Sequence, residues 1–443
     1  MKRLLFIFTF LGFFFVNGRT QEVETLTLED CLRIGIDNNL SLESKRKEMQ
    51  KSKYGVSENR ARLLPQINAA AGYNNNFDPP VSVTDGSSYG VPYNITRTLQ
   101  HSANAGLEMQ MPLFNQTLYT SMSIAKIMEE ISRLSYGKAR EDIILQISKM
   151  YYLGQVTAEQ IALIKANITR LEELRDITRA FFDNGMSMEV DLKRVNINLE
   201  NLKVQYDNAQ AMMKQQLNML KYIMDYPAEK EFVLTPVNTD SITTVALTGL
   251  SENLYELQLT QSQVELAERQ KRMVSNGYIP SLSLTGSWRY AAYTDKGYHW
   301  FHSGPSNHWF RSYGLGLTLR VPIFDGLDKT YKIRKAKIDI ENRRLAWEDA
   351  RKNLQTQYLN AVNDLMNNQR NFKKQKDNYL LAEDVYAVTS DRYREGIASM
   401  TEVLQDEMQM SEAQNNYISA HYNYRVTNLM LLKLTGQIES LVK

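Results

Sequence analysis

The sequence predicts a mixed, mostly α-helical fold in which long antiparallel coiled-coil helices are joined to four transmembrane β-strands per chain. Three observations lead to this prediction. The chain repeats itself with a shift of about 210 residues, two segments keep a heptad pattern for about 65 residues, and four segments alternate apolar and polar residues over about 10 residues. Residues 19–443 are therefore predicted to form one elongated body of two structural repeats, about 19–235 and 236–443.

The N-terminal 18 residues have the pattern of a secretory signal peptide. Lys2 and Arg3 precede an apolar run from Leu4 to Val16, and small residues follow. This run is shorter than the roughly 18 to 20 apolar residues of a spanning helix. The chain has a single cysteine, Cys31, so no intramolecular disulfide can form and the exported protein must be held by packing or assembly.

Charge and motifs exclude two classes of function. The chain has 52 basic and 50 acidic residues, so no basic excess indicates a nucleic-acid surface. No motif of a metalloprotease, a phosphate-binding loop or a hydrolase nucleophile is present, which predicts a protein that is not an enzyme and holds no cofactor or metal. One loop carries a histidine- and tryptophan-rich cluster but lacks carboxylates at ligand spacing, and it is interpreted as an extracellular loop near the membrane: His299, Trp300, His302, His308 and Trp309.

Four segments alternate with period two, at about 65–77, 103–113, 280–292 and 313–323. One face of each is apolar, as expected for contact with lipid, and the other is polar. Glu108, Arg289 and Arg320 lie on the polar faces and are predicted to line a lumen. A soluble sandwich with one wet face is the alternative for any single segment, but all four share the pattern in an exported chain.

Four strands cannot close a barrel, and open sheet edges in hydrocarbon cost several kcal/mol per unpaired group. Two copies would give about eight strands around a filled interior, and three would give about twelve around a lumen. Because the inner faces are polar, the sequence favours a homotrimer.

The long heptad segments run from about Thr117 to Phe182 and from Asp325 to Tyr393, each roughly 100 Å long as a helix. Gly137 and Gly154 predict local irregularity in the first. Residues 225–250, with their prolines, are interpreted as a small mixed belt. The last helix has an unusually polar predicted seam, which indicates either a water-facing or a loosely packed surface: Leu404, Met408, Ser411, Asn415, Ile418, Tyr422, Leu429 and Leu432.

In the order of these features the chain resembles the TolC-type outer-membrane efflux factors over almost its whole length. The residues that carry the resemblance are Leu26–Leu32 with Asn38–Leu40, Leu64–Ile67, the prolines Pro112 and Pro322, and Arg392–Gly396 followed by Glu402–Leu404. The resemblance implies a homotrimer in the outer membrane of a Gram-negative bacterium. Its twelve-stranded β-barrel would continue as an α-barrel through the periplasm, towards an adaptor protein and an inner-membrane pump of the resistance-nodulation-division type.

The same resemblance implies a gate at the two glycine turns. Family positions for closing the channel fall on Asp191 and Tyr393, and the acidic constriction ring falls on Glu402. A second acidic ring would fall on Gln405, beside Asp406, and an arginine latch position holds Ala398. The residues implied to contact the adaptor are Asn184, Gly185, Met186, Glu395, Gly396 and Ile397. A plainer interpretation of Asp191 and Glu402 is that they favour the starts of their helices.

The function implied is a passive, gated exit duct for drugs, toxic compounds or metals, surrounded by outer-membrane lipid. The exit channel of a type I protein secretion system is an alternative within transport. A trimeric coiled-coil adhesin or structural tether is the alternative from another class, although it would not need polar inner faces on all four strands.

Overall fold

The computed structural model describes residues 24–236, 249–295 and 309–442. The predicted signal peptide, part of the belt at 225–250 and most of the histidine- and tryptophan-rich loop lie outside these ranges. The helices are α1 (Leu28–Asn38), α2 (Leu40–Ala61), α3 (Gln116–Asp183), α4 (Glu189–Met224), α5 (Tyr255–Ser275), α6 (Asp328–Arg394) and α7 (Met400–Leu434). The strands are β1 (Glu24–Leu26), β2 (Gln66–Asn75), β3 (Val81–Asp85), β4 (Tyr93–Arg97), β5 (His101–Phe114), β6 (Phe232–Leu234), β7 (Ser281–Thr294) and β8 (Trp309–Arg320). None of the described helices is both long and apolar enough to cross a bilayer.

The four alternating segments form one antiparallel sheet in the order β2-β5-β7-β8, so β2 and β8 are its edges. The strand bounds differ by a few residues from the predicted ones. The fourth strand begins earlier, at Trp309, and ends at Arg320, before Pro322, which has no N–H to donate to a ladder. The hairpin of β3 and β4 was not predicted, and β1 pairs in parallel with β6 beside the helices.

One face of this sheet is apolar and uncovered within the chain. Leu315, Leu317 and Leu319 on β8 are each at least 65% exposed. An exposed apolar stripe of this kind on a soluble protein would need a partner to cover it, whereas in a bilayer the lipid tails cover it.

The long helices follow the prediction closely, except at two places. Helix α6 begins three residues later than predicted because Gly326 and Leu327 adopt positive φ angles, of 66° and 68°, which no helix allows. The irregularity expected in α3 is absent, since the helix is continuous. A Cβ on Gly137 would lie within 2.5 Å of the Tyr255 ring, and one on Gly154 within 2.6 Å of Leu234, so these glycines permit close packing.

The helices pack as two hairpins, α3 with α4 and α6 with α7, which meet along a contact between α3 and α7. A core near the glycine turns contains Leu171, Leu174, Leu199 and Met410. A second core at the other end of these helices gathers α1, the strand pair β1 and β6, and the ends of α4 and α7. The chain is therefore a helical bundle with a sheet at one end and the two turns at the other.

The predicted seam of α7 was only partly right, since Leu404, Ile418 and Leu429 are buried but Met408 and Asn415 are exposed. A second buried heptad lies one position earlier and contains Val403, Glu407, Met410, Gln414 and Tyr417. Every second position of this heptad is polar, so an apolar pattern did not reveal it.

Candidate functional site

The two glycine turns have the same geometry. Gly185 and Gly396 adopt φ angles of 71° and 75°, a region that favours glycine. In each turn the next N–H bonds back to the preceding helix, from Met186 to Phe181 O at 2.8 Å and from Ile397 to Arg392 O at 2.8 Å. Met186 and Ile397 are 68% and 62% exposed, so each turn presents an apolar side chain directly after its glycine.

Asn184 and Glu395 precede these glycines and are exposed. The Asn184 amide donates to Ala180 O at 2.7 Å, which satisfies a carbonyl in the last turn of α3. The six residues predicted to meet an adaptor thus lie side by side at one end of the bundle.

Asp191 lies in the first turn of α4, where it contacts Arg194, the residue that links the starts of α4 and α7. Arg194 Nη1 lies 3.4 Å from Asp191 Oδ1 and donates to Thr401 Oγ1 on α7 at 3.4 Å. Ser187 also donates to Asp191, at 3.4 Å. Arg194 and Thr401 were not predicted, because they become neighbours only when the two repeats pack.

Tyr393 lies at the end of α6 and is only 5% exposed. Its hydroxyl donates to Thr178 Oγ1 on α3 at 3.3 Å, and its ring packs against Phe181 with the centroids 5.6 Å apart. Within one chain, Asp191 and Tyr393 therefore have different partners.

Glu402 forms a capping box at the start of α7. Its carboxylate accepts from the Ser399 backbone N–H at 2.9 Å, and Ser399 Oγ accepts from Glu402 N–H at 3.3 Å. This is the plainer of the two interpretations drawn from the sequence. Asp406 lies one turn further along α7 and is half-buried.

A polar network that the sequence did not reveal ties three helices together above the turns. Arg170 on α3 donates to Glu383 on α6 at 2.6 Å and to Asn167 at 3.0 Å. Asn167 in turn donates to Gln414 on α7 at 2.7 Å, and both amides are buried. No local signal marks these residues, since their partners on α6 and α7 are more than two hundred positions away.

Glu407 is a second residue that sequence reasoning missed. Its side chain is 4% exposed, and its Oε1 has no hydrogen-bond partner among the described residues. Burial raises the pKa of this carboxyl to about 7, since desolvation disfavours the charged form.

The three charged residues predicted for the lumen all lie on the polar face of the sheet. Arg289 on β7 donates to Glu108 on β5 at 2.7 Å, which joins the two central strands. Arg320 is the last residue of β8, at the end nearest the helices. Across residues 24–236, 249–295 and 309–442, no three His, Cys, Asp or Glu side chains come together in a way that would hold a metal ion.

Comparisons with known proteins agree with this architecture. The outer membrane protein TolC of Vibrio cholerae is 21% identical over 396 residues, which cover 86% of this chain and 84% of that protein. The toluene efflux pump outer membrane protein TtgC of Pseudomonas putida is 23% identical over 380 residues, covering 81% and 75% of the two chains.

Two solved channels show the same fold. The outer membrane channel CmeC of Campylobacter jejuni superimposes with a TM-score of 0.76 at 16% identity, over 93% of this chain and 85% of that one. The open-state channel MtrE of Neisseria gonorrhoeae gives a TM-score of 0.71 at 19% identity, over 92% and 88%. The family model described as outer membrane efflux protein matches residues 34–224 and 248–437, and the chain therefore belongs to the outer membrane efflux protein family.

Proposed function

We propose that this protein is the exit duct of a tripartite efflux system, a homotrimer that conducts small molecules passively through a gated channel. As a member of its family, it is an outer-membrane component of efflux. The proposed partners are two further copies of the chain, a periplasmic adaptor at the turns, an inner-membrane pump of the resistance-nodulation-division type, and outer-membrane lipid. Conduction of this kind needs no catalytic residue.

The observation that carries the proposal is the sheet with two unpaired edges and unlike faces. In hydrocarbon the edge strands β2 and β8 must find partners, and three copies of a four-stranded sheet give a closed barrel with the polar faces inside. The attached helices α3 and α6, of 68 and 67 residues, are each about 100 Å long, which suits a duct that reaches far into the periplasm.

The names of the relatives favour efflux over protein secretion. Two of the Pseudomonas putida proteins are named for toluene and antibiotic efflux, so small apolar solutes are the proposed cargo class. The selection of cargo is assigned to the pump, since the duct offers only a polar passage.

The gate is assigned to the end of the bundle that carries the turns. Asp191 acts there through Arg194 and Thr401, which join the starts of α4 and α7. Tyr393 acts through Thr178, which fastens α6 to α3. Glu402 and Asp406 follow the second turn and supply negative charge to the proposed constriction.

The experiment is planar-bilayer conductance of the purified protein, with its oligomeric state measured in detergent by light scattering. A trimer with low conductance is expected, and Asp191→Ala should raise the conductance more than Tyr393→Phe. Asp207→Ala, an exposed position on α4 away from the turn, is the matched control. A monomer would contradict the duct, and a trimer that stays silent in every variant would contradict the duct and favour a tether.

A further inference from the structure

The polar face of the sheet carries few charged residues, and two of them lie in adjacent rows across the strands. In the register of the strands, Asn68, Glu108, Ser287 and Gly314 form one row across the sheet. The adjacent row, on the side away from the helices, contains Gly106 and Arg289 opposite each other, followed by Ser312. At the alternating polar positions of the four strands, as far as they are described, Glu108, Arg289 and Arg320 are the only charged residues.

Two of these three charges neutralise each other. Arg289 Nη2 lies 2.7 Å from Glu108 Oε1, and both side chains are about half exposed, at 50% and 57%. Gly106 lets β5 and β7 approach closely beside this pair, since a Cβ there would lie 2.5 Å from the Trp288 carbonyl oxygen and 2.9 Å from the Arg289 Cα. The Arg289 guanidinium reaches from its own row to the carboxylate in the next row.

Glu108 lines an open depression of about 440 Å³ on this face. Its other lining residues are short or uncharged, including Asn68, Thr285 and Ser287, and two glycines of β8 complete the floor: Gly314 and Gly316. The Glu108–Arg289 pair is therefore the only charged group on the polar face in the middle of the described sheet, where a passing solute would meet it.

Arg320 has no acidic residue on the polar face to offset it. It lies directly opposite Ser281, at the helix-proximal end of the sheet. The net charge of the polar face of the described strands is accordingly one positive charge per chain, because Glu108 and Arg289 cancel and Arg320 remains.

We propose that the Glu108–Arg289 pair keeps the middle of the barrel lumen free of net charge and thereby limits its charge selectivity. While the pair is intact, Arg320 is the only uncompensated charge that the polar face of the described strands adds to the lumen from each chain. Removal of either partner exposes the other charge to the permeating ions, and the preference shifts towards anions or towards cations accordingly. This inference rests on the proposed function, since it requires that three polar faces surround a conducting lumen.

The test is the reversal potential of single trimers of the full chain in a potassium chloride gradient. Glu108→Gln should increase the chloride-to-potassium permeability ratio, and Arg289→Gln should lower it, with the two variants differing by about twofold or more at a mean salt of about 0.03 M. In about 1 M salt, where charges are screened within about 3 Å, the two variants should give nearly the same ratio. Ser287→Thr, in the same row as Glu108, is the uncharged control and should match the unaltered channel.

The exchanged variant Glu108→Arg with Arg289→Glu keeps the pair and the net charge, so it should restore the original ratio. Conducting trimers whose ratios do not separate at low salt would overturn the selectivity assignment and leave the duct intact. A chain that conducts in none of these forms would overturn the proposed duct and this assignment with it.

Discussion

Helices α4 and α7 are the return helices of the two repeats, and they differ in what they bury. They have 36 and 35 residues and follow glycine turns of the same geometry. Helix α4 packs mainly against α3, whereas α7 packs against both α6 and α3. The repeat in sequence therefore specifies two similar hairpins, but it does not specify which helix becomes enclosed.

The enclosed helix carries a buried polar row that its counterpart lacks. One polar side chain recurs at every seventh position of α7 and its end, facing the interior of the bundle: Glu407, Gln414, His421, Asn428 and Thr435. In α4 the buried seam is almost entirely apolar and includes Val195, Leu199 and Leu202.

Some of these buried polar atoms lack complete hydrogen bonding. Glu407 Oε1, His421 Nδ1 and Asn428 Oδ1 have no hydrogen-bond partner among the described residues. His421 Nδ1 lies 3.5 Å from Glu159 Oε2 on α3, an ion pair only when the histidine is protonated. Buried polar atoms without hydrogen bonds lower the free energy of unfolding. The buried seam of α7 therefore contributes less to stability than its burial alone suggests.

The largest expected effect is at the apolar seam of α4. Leu199→Ala should lower the free energy of unfolding by about 2–5 kcal/mol, because it leaves a cavity beside α3. Thermal unfolding in detergent, followed by circular dichroism, measures this change. Val204→Ala, at a 59% exposed position of the same helix, is the control. If Val204→Ala costs as much as Leu199→Ala, then the outer face of α4 is also packed, and the contrast with α7 fails.

The next effect is the pH dependence that Glu407 gives to α7. Its pKa in the folded protein is about 7, above the usual value of 4.5, so the folded state binds the proton more tightly than the unfolded state. This stabilisation is fully present below pH 4.5 and is lost as the pH rises to about 7. Glu407→Gln should therefore raise stability at pH 8, by an amount on the order of 1–3 kcal/mol, and change little at pH 4.5.

The unfolding temperature of both proteins from pH 4.5 to pH 8 is the corresponding measurement. Asp406→Asn, one position away on the half-buried side of α7, should keep the pH dependence because it leaves Glu407 in place. An equal difference between Glu407→Gln and the unaltered protein at every pH would show that the carboxyl does not titrate in this range.

The amide pair between α3 and α7 is expected to be strongly non-additive. Gln414→Leu alone leaves the buried Asn167 amide without its acceptor and should cost about 1–3 kcal/mol. Asn167→Leu with Gln414→Leu removes both polar groups and should cost much less than the sum of the single changes. A double-mutant cycle of unfolding measures the coupling, and additive effects would mean that the two amides act independently.

The smallest effect concerns the starts of the two helices. Ser399 and Glu402 cap α7 with a capping box, whereas Met188 at the same position of α4 provides no side-chain cap. Ser399→Ala should lower the free energy of unfolding by about 1 kcal/mol. Met188→Ser should raise it by a few tenths of a kcal/mol or more, because Asp191 already stands at the third position of α4 and could complete a capping box. Unfolding temperatures that move in the same direction for both variants would contradict this reading of the turns.

Much of the site was predictable, because it depends on local chemistry. Gly185 and Gly396 mark the turns since few other residues adopt their backbone angles. Glu108 and Arg289 were each placed on a polar face by strand alternation, but their pairing was not, since it depends on the register of β5 against β7. The partner of Tyr393 was likewise missed, because Thr178 belongs to the other repeat. The contact of Arg194, the neighbour of Asp191, with Thr401 was missed for the same reason.

The sequence by itself determined the long helices, the four strands and the unlike faces of the sheet, since heptad spacing, period-two alternation and glycine turns act over a few residues. Only the tertiary structure decided that α7 lies between α6 and α3, and that Glu407 and Gln414 are buried while the predicted Met408 and Asn415 beside them are exposed. The physical reason is that burial is a property of neighbours. From sequence alone, a polar residue at a heptad position is predicted to be exposed. It is buried only where a distant helix supplies a group that packs against it.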